Sequence, residues 1–219
     1  MSAAFAAALA ARCDISVVCP DYRLAPEHPF PAGLADGWSV MNALLEEGDA
    51  PLILSGDSAG GGLAAGLAAL ATQESSTPAG LVLLSPWLDL TLASPCYEEN
   101  AATDPLFSRA AAQDAAALYL QGMAPDHPLA SPLLGPVVGF PPTLISIGVG
   151  EVLADDGRRL YATLQAAGVS ARLSAIAGME HVAVTRDMTL PGAAETLAAV
   201  VAFVTALTQG GERAPRAST

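Results

Sequence analysis

Ser58 lies between two glycines in the pentapeptide GDSAG, residues 56–60, where a short apolar run gives way to Leu and Ala at helical spacing. The small flanking residues allow a sharp turn between a strand and a helix, which lifts the serine hydroxyl above the sheet. The backbone N–H of Ala59, at the start of the helix, would then point at an oxyanion formed there. The same residues also fit an N-cap serine followed by a flexible glycine run, and the pentapeptide alone leaves both interpretations open.

A nucleophilic serine needs a base, because its hydroxyl is a weak nucleophile at neutral pH unless a histidine and an orienting acid accompany it. On a strand-to-helix turn of this kind the acid and then the histidine follow the serine in the chain, which excludes His28. His127 precedes every candidate acid at a strand end, and we assign it a structural role. His181 follows the predicted strand 171–176 and is the candidate base.

Glu151 is the candidate acid, since it lies just past the end of the predicted strand 143–147. Asp155 and Asp156 fall at the start of the next helix, where carboxylates interact favourably with the helix dipole. A glutamate can accept the imidazole N–H and stabilise the imidazolium as an aspartate does. Position therefore favours Glu151, with Asp155 as the alternative.

The elements that must position these residues alternate between strand-like and helix-like segments, which is typical of a mostly parallel sheet with helices on both faces. Apolar runs predict about five strands, at residues 15–19, 52–55, 81–85, 143–147 and 171–176. Apolar residues at helical spacing predict helices at residues 3–12, 34–47, 62–72, 109–121, 155–167 and 193–207. We expect an α/β fold with a single domain over residues 1–209, a Pro-rich, lid-like insertion at about 87–142 and a disordered tail over 210–219.

Charge and composition restrict the partners. The 219 residues include 22 Asp and Glu against 9 Lys and Arg, and the net charge of −13 disfavours nucleic acid and anionic membranes as partners. The apolar run over residues 3–11 is too short to span a bilayer and lacks the basic residues that precede a secretory signal, which predicts a cytoplasmic location. Cys13, Cys19 and Cys96 lack metal-like spacing and predict free thiols in or near the core, with no metal site.

Five segments together resemble the hormone-sensitive-lipase-like family of α/β-hydrolase carboxylesterases: DYRLAPEHPFPAGLAD, GDSAGGGLAA, HPLASPLLG, GFPPTLISIG and GMEHV. They occur in the family's order from Asp21 to His181. The resemblance implies an α/β-hydrolase fold with Ser58 as the nucleophile and His181 as the base. The family's acid, commonly the Asp of an Asp-Pro-Leu segment, falls on Glu151 in the segment EVL.

The activity that the resemblance implies is that of a serine carboxylesterase. Such an enzyme hydrolyses short-chain acyl esters through an acyl-enzyme intermediate, with the Ala59 N–H as an oxyanion donor and without a cofactor. The family also places a His-Gly-Gly-Gly oxyanion loop before the helix at residues 3–12, and this sequence contains no such motif. We therefore expect an N-terminally truncated member, whose strand at 15–19 leaves an exposed sheet edge open to self-association. The alternative is a catalytically impaired member that at most binds small apolar ligands.

Overall fold

Four parallel strands form one sheet in the computed structural model, which describes residues 2–48, 50–74 and 76–209. The strands, in chain order and in their order across the sheet, are β1 (Ile53–Asp57), β2 (Gly80–Leu84), β3 (Thr143–Gly148) and β4 (Ala171–Ile176). Each neighbouring pair is parallel. The carboxyl ends of all four strands therefore meet at one end of the sheet, where ligands bind in open α/β folds.

Helices connect the strands and cover the sheet. In chain order they are α1 (Ala3–Cys13), α2 (Ala32–Glu47), α3 (Ala59–Gln73), α4 (Cys96–Glu99), α5 (Arg109–Leu120), α6 (Ala154–Ala166), α7 (Ala183–Arg186) and α8 (Ala193–Gln209), with a 3₁₀ turn at Pro132–Leu134. The hydroxyl of Ser2 caps α1, and that of Ser108 caps α5. The expected disordered tail, residues 210–219, lies outside the described residues.

The two central strands separate the core into two apolar layers. Every residue of β2 and β3 is buried, as expected of parallel strands covered on both faces. Successive side chains alternate between layers, so Leu81 and Leu83 pack with residues of α3 and α6, while Val82 and Leu84 pack with residues of α1 and α8. This packing fixes the register of the strands. It therefore also fixes where the residues that follow each strand lie relative to one another at the carboxyl end of the sheet.

The expected strand at residues 15–19 is wrong. This segment has no regular secondary structure and pairs with no described strand. The sheet of the described residues ends at β1 on one side and at β4 on the other. Ile15 and Val17 are half-buried against the apolar layer that holds α1 and α8. The alternating apolar residues of this segment therefore indicate only that alternate side chains are half-buried. A strand also requires a neighbouring backbone that donates and accepts hydrogen bonds. Self-association through a sheet edge stays a prediction, and the free edge on this side belongs to β1.

The cysteines are free thiols, as expected, but their placement differs from the expectation at one position. Cys13 and Cys96 are buried, whereas Cys19 is exposed. It lies in the segment 15–19, which pairs with no strand of the described residues.

Residues 87–142, between β2 and β3, contain α4, α5 and the 3₁₀ turn. Their apolar side chains share one cluster with residues of α2, α3 and the loops before α2 and α6. In this cluster Trp87, Leu90, Leu92, Tyr97, Ala112, Ala116 and Leu120 pack with Phe30, Leu34, Leu67, Val152 and Leu153. The insertion is thus packed onto the body of the fold, and its role as a lid stays a prediction. Among the described residues there is no helix with the length and apolar character needed to cross a membrane.

Candidate active site

Ser58 occupies a sharp turn between β1 and α3. Its φ of 52° and ψ of −120° lie outside the backbone regions that residues other than glycine readily adopt, so the backbone is strained at this residue. The Ser58 N–H donates to Leu84 O at 3.0 Å, and the Ser58 carbonyl accepts the N–H of Trp87 at 3.0 Å. These two bonds tie the turn to the end of β2 and hold the strained conformation.

The glycines around Ser58 serve different purposes. A Cβ on Gly56 would lie 2.0 Å from the carbonyl oxygen of Gly60, so the turn requires a glycine at position 56. A Cβ on Gly62 would lie 2.4 Å from the Trp87 carbonyl oxygen, so this glycine lets α3 pack closely on the chain after β2. A Cβ on Gly60 would meet nothing closer than Asp57 Oδ1 at 3.7 Å. Only the first glycine of the GDSAG motif is therefore sterically required.

Ser58, His181 and Glu151 form a continuous line of hydrogen bonds. His181 Nε2 lies 2.9 Å from Ser58 Oγ, and His181 Nδ1 lies 2.9 Å from Glu151 Oε2. A carboxylate oxygen only accepts, so Nδ1 carries the imidazole hydrogen and Nε2 is free to accept the Ser58 hydroxyl hydrogen. His181 is 7% exposed and Glu151 1% exposed, so the line is largely shielded from water.

Glu151 is held on its second oxygen as well. Ser85 Oγ donates to Oε1 at 2.9 Å, and Gly148 N–H donates to the same oxygen. These donors leave Oε2 facing the imidazole. Asp155, the alternative acid, lies in the first turn of α6 with its carboxylate 3.9 Å from Arg159 Nη1, and no contact joins it to His181.

Ser85 is a site residue that sequence reasoning missed. It directly follows β2, just as Ser58 follows β1, and its φ of 45° turns the chain sharply there. Its hydroxyl donates to Glu151 and accepts the backbone N–H of Val182 at 3.1 Å, so it joins the acid to the residue after the histidine. The available signal was its position at the carboxyl end of a predicted strand.

Phe107, from the insertion, lies over the imidazole. The two rings are nearly parallel, with an interplanar angle of 10° and centroids 6.0 Å apart. The edge of Trp87 packs on Phe107, with centroids 5.6 Å apart. The insertion thus contributes an aromatic wall beside the Ser58 and His181 pair, which apolar composition alone did not reveal.

A second contact joins the turn at Ser58 to the segment after His181. Thr185 Oγ1 donates to Asp57 Oδ2 at 2.7 Å, which links α7 to the residue before Ser58. Burial and the negative charge of Asp57 raise the pKa of Tyr22 above its ordinary value. Asp57 therefore helps to hold β1 and α7 together behind the site.

Comparison with known proteins assigns the fold to a family. Residues 1–185 match the family described as alpha/beta hydrolase fold. The chain belongs to this family. Among similar curated proteins, an esterase of Acinetobacter venetianus is 38% identical over 203 residues, which cover 91% of this chain and 67% of the relative. An acetyl-hydrolase of Streptomyces hygroscopicus is 40% identical over 178 residues, which cover 80% of this chain and 60% of the relative.

The solved structures place this α/β-hydrolase among hormone-sensitive-lipase-like proteins. An esterase of the bacterial hormone-sensitive lipase family superposes with a TM-score of 0.88 at 37% identity, over 92% of this chain and 69% of that one. These values confirm the family resemblance that the sequence motifs indicated. The chain spans 60% of the length of the acetyl-hydrolase and 67% of that of the esterase, so the relatives are longer proteins.

Ala59 is the first residue of α3 in this hydrolase and is exposed. The N–H groups of the first helical turn have no acceptor within the helix, and the positive end of the helix dipole lies there. The Ala59 N–H therefore lies next to Ser58, at a place where an anion is stabilised.

Proposed function

We propose that this α/β-hydrolase is a serine carboxylesterase that acts on short-chain acyl esters. The observation that carries the proposal is the unbroken line Ser58 Oγ, His181 and Glu151, with 2.9 Å at each step. Ser58 directly follows β1, and Glu151 and His181 lie in the loops after β3 and β4. Such a line supplies a nucleophile, a base and an orienting carboxylate in the geometry that acyl transfer requires.

In the acylation half of the reaction, Ser58 Oγ attacks the ester carbonyl carbon while His181 Nε2 accepts the hydroxyl proton. The carbonyl oxygen becomes an oxyanion, and the backbone N–H of Ala59 donates to it. When the tetrahedral intermediate collapses, the carbon–oxygen bond to the alcohol breaks and the alcohol leaves with the proton from Nε2. Glu151 accepts the Nδ1 hydrogen and stabilises the imidazolium throughout.

In the deacylation half, water takes the place of the alcohol. His181 Nε2 accepts a proton from the water, whose oxygen attacks the acyl carbon bound to Ser58 Oγ. The second tetrahedral intermediate releases the carboxylic acid and returns the proton to Ser58. Both halves use the same base and the same oxyanion donor, so one set of residues suffices for the complete cycle.

The proposed ester and acyl length rest on the names of the relatives and on the aromatic wall formed by Phe107 and Trp87. The curated relatives are named as an esterase and an acetyl-hydrolase, and the second name specifies a two-carbon acyl group. Phe107 stacks on His181 and Trp87 packs on Phe107, so apolar surface lies beside the proposed base and favours neutral ester groups over charged ones. We therefore expect acetate and butyrate esters of neutral alcohols as substrates.

The experiment that tests the function compares the chain with its Ser58→Ala variant on p-nitrophenyl acetate and butyrate. We expect release of p-nitrophenol by the unchanged chain and none above background by the variant, with identical circular dichroism spectra. Retained turnover in a folded Ser58→Ala variant would refute the proposed nucleophile.

A sulfonyl fluoride separates nucleophile reactivity from turnover. Phenylmethanesulfonyl fluoride should add one sulfonyl group to Ser58 with loss of fluoride, seen as a single mass increase that Ser58→Ala abolishes. Labelling without ester turnover would instead favour an impaired hydrolase that binds small apolar ligands, because the nucleophile would be active while the oxyanion would lack sufficient donors.

A further inference from the structure

The loop that carries Glu151, residues 149–152, lies between β3 and α6 and has no regular secondary structure. Three backbone hydrogen bonds tie it to the strands and helix beside it: Val149 N–H donates to Ile176 O, Glu151 N–H donates to Gly148 O, and Ala154 N–H donates to Glu151 O. The carbonyl groups of residues 149–151 and the Val152 N–H also meet side chains of the insertion, and Arg158 Nη2 of α6 lies 3.5 Å from Val149 O. The position of Glu151 therefore depends in part on the hydrogen bonds that the insertion makes to this loop.

Three side chains of the insertion bind the backbone of this loop. Asn100 Nδ2 donates to Glu151 O at 2.7 Å and to Val149 O at 3.2 Å. Thr103 Oγ1 donates to Gly150 O at 2.9 Å, and Asn100 O lies 3.1 Å from the same hydroxyl. Asp104 Oδ2 accepts the Val152 N–H at 2.9 Å. Each of the four residues 149–152 thus has a backbone group bound by Asn100, Thr103 or Asp104, which we call the acid clasp.

Asp104 also connects the clasp to the aromatic wall. Its other oxygen, Oδ1, accepts the N–H groups of Leu106 at 3.0 Å and Phe107 at 3.1 Å. Phe107 is the ring that lies parallel to the imidazole of His181. One carboxylate, 9% exposed, therefore fixes both the backbone beside the acid and the ring over the base.

We propose that the acid clasp positions Glu151 for its role in the triad. None of its three side chains touches the reacting atoms, so these are positioning residues that act through the acid. The loop could satisfy its carbonyl groups with water, but water would not hold the loop at one distance from His181. Side chains from a packed insertion do so, because α4 and α5 are themselves fixed in the core. This inference rests on the proposed esterase function.

The test uses substitutions that remove single contacts. Thr103→Val removes the hydroxyl and keeps the branched shape, and Thr103→Ser is its matched control because it keeps the hydroxyl. Asn100→Asp keeps the side-chain shape but places an oxygen against the carbonyl oxygens of Val149 and Glu151. Ser108→Ala removes the N-cap of α5 in the same insertion without touching the acid loop, and it controls for general loosening of the insertion.

Steady-state kinetics on p-nitrophenyl butyrate give the first readout. We expect Thr103→Val and Asn100→Asp each to lower kcat about two- to tenfold with KM unchanged, because one hydrogen bond to the acid loop is lost. Thr103→Ser and Ser108→Ala should stay within about twofold. A rise in KM at unchanged kcat would assign the clasp to substrate binding and overturn the proposal.

A double-mutant cycle decides whether the clasp acts through Glu151. In a Glu151→Ala background there is no carboxylate to position, so Thr103→Val should cause no further loss of kcat. The same fold-loss in both backgrounds would show an independent structural effect and would overturn the proposal.

Proton NMR provides a readout that does not need turnover. The His181 Nδ1 hydrogen, bound to Glu151 Oε2, is expected to give a low-field signal that Thr103→Val and Asn100→Asp broaden or abolish and both controls retain. An unchanged signal in all four variants would refute the clasp even in an active esterase. If the signal responds as expected and the unchanged chain hydrolyses no ester, the proposed function fails and the clasp stands.

Discussion

Ser85 Oγ and Glu151 Oε1 are 2.9 Å apart in the interior of the site, and the same hydroxyl accepts the Val182 N–H. Glu151 is thus held from the end of β2, while His181 lies in the loop after β4. We expect Ser85→Ala to lower kcat about two- to tenfold with little change in KM, because the carboxylate loses a donor that fixes its plane. Steady-state kinetics on p-nitrophenyl butyrate measure this.

A change confined to KM would place Ser85 in substrate binding and contradict the expectation. Ser94→Ala is a suitable control. Ser94 is also buried, it lies between β2 and α4 in the chain, and its hydroxyl accepts the backbone N–H of Cys96 rather than donating to Glu151. It should lower stability without changing kcat beyond about twofold.

Gly56 and Gly60 should differ in their tolerance of a methyl group. Gly56→Ala places a Cβ 2.0 Å from the Gly60 carbonyl oxygen and 2.7 Å from Gly61 N, so the backbone of the turn must move. We expect loss of ester hydrolysis and destabilisation by about 2–5 kcal/mol. Gly60→Ala, whose Cβ meets nothing closer than 3.7 Å, should retain activity and gain up to about 1 kcal/mol from higher helix propensity.

Urea unfolding and ester kinetics on the two variants check this pair. Equal losses in both would mean that the motif's glycines are required for flexibility of the turn and would contradict the steric argument.

The sequence predicted those strands and helices whose apolar residues are the ones that pack in the core. The four strands of the sheet begin and end within two residues of expectation, since each alternates between two apolar layers or is buried throughout. The helical spacing predicts that α3 starts at Gly62, the last of three glycines, whereas the helix begins at Ala59. Glycine has low helix propensity, and here close packing of Gly62 against Trp87 overrides that preference.

The contacts around Glu151 could not be predicted in this way. Asn100 and Thr103 bind backbone atoms 47–51 positions away, and Ser85 binds a side chain 66 positions away. Such contacts leave no periodic pattern, because they depend on loops that meet only after the sheet has formed. The candidate nucleophile, acid and base could be named beforehand because each directly follows or closely follows a strand whose position was itself predictable.

Glu151→Gln should lower kcat by more than the loss of one negative charge would cause. Oε1 accepts from Ser85 and from the rigid Gly148 N–H, so the amide NH₂ is directed towards His181 Nδ1. Nδ1 would then accept a hydrogen bond, and the hydrogen would move to Nε2, where it blocks proton transfer from Ser58. We expect a fall in kcat of about 10³–10⁴-fold, still less than that of His181→Ala, which removes the base itself.

The kcat values of Glu151→Gln and His181→Ala, measured after subtraction of the rate of the Ser58→Ala variant, check which substitution lowers activity more. A loss for Glu151→Gln below about tenfold would contradict the tautomer argument.

Asp156, in the first turn of α6, makes stability depend on pH. It is fully buried, and burial raises its pKa to about 7, although its Oδ2 accepts the N–H groups of Leu88 and Asp89. The nearby charge of Asp89 raises this pKa further and that of Arg159 lowers it. In the unfolded chain the carboxyl has an ordinary pKa near 4, so between about pH 4 and pH 7 the folded state binds the extra proton.

Stability should therefore fall as the pH rises through this window and level off above about pH 7, with a loss on the order of 1–4 kcal/mol. Asp156→Asn keeps an oxygen for the Leu88 and Asp89 N–H groups and cannot ionise, so it should flatten the profile and exceed the unchanged chain in stability at pH 8. Asp155→Asn, which removes a partly exposed charge from the neighbouring position, is the matched control and should leave the slope unchanged. Urea unfolding at pH 5 and pH 8 measures all three proteins, and parallel profiles for the unchanged chain and Asp156→Asn would show that another group carries the pH dependence.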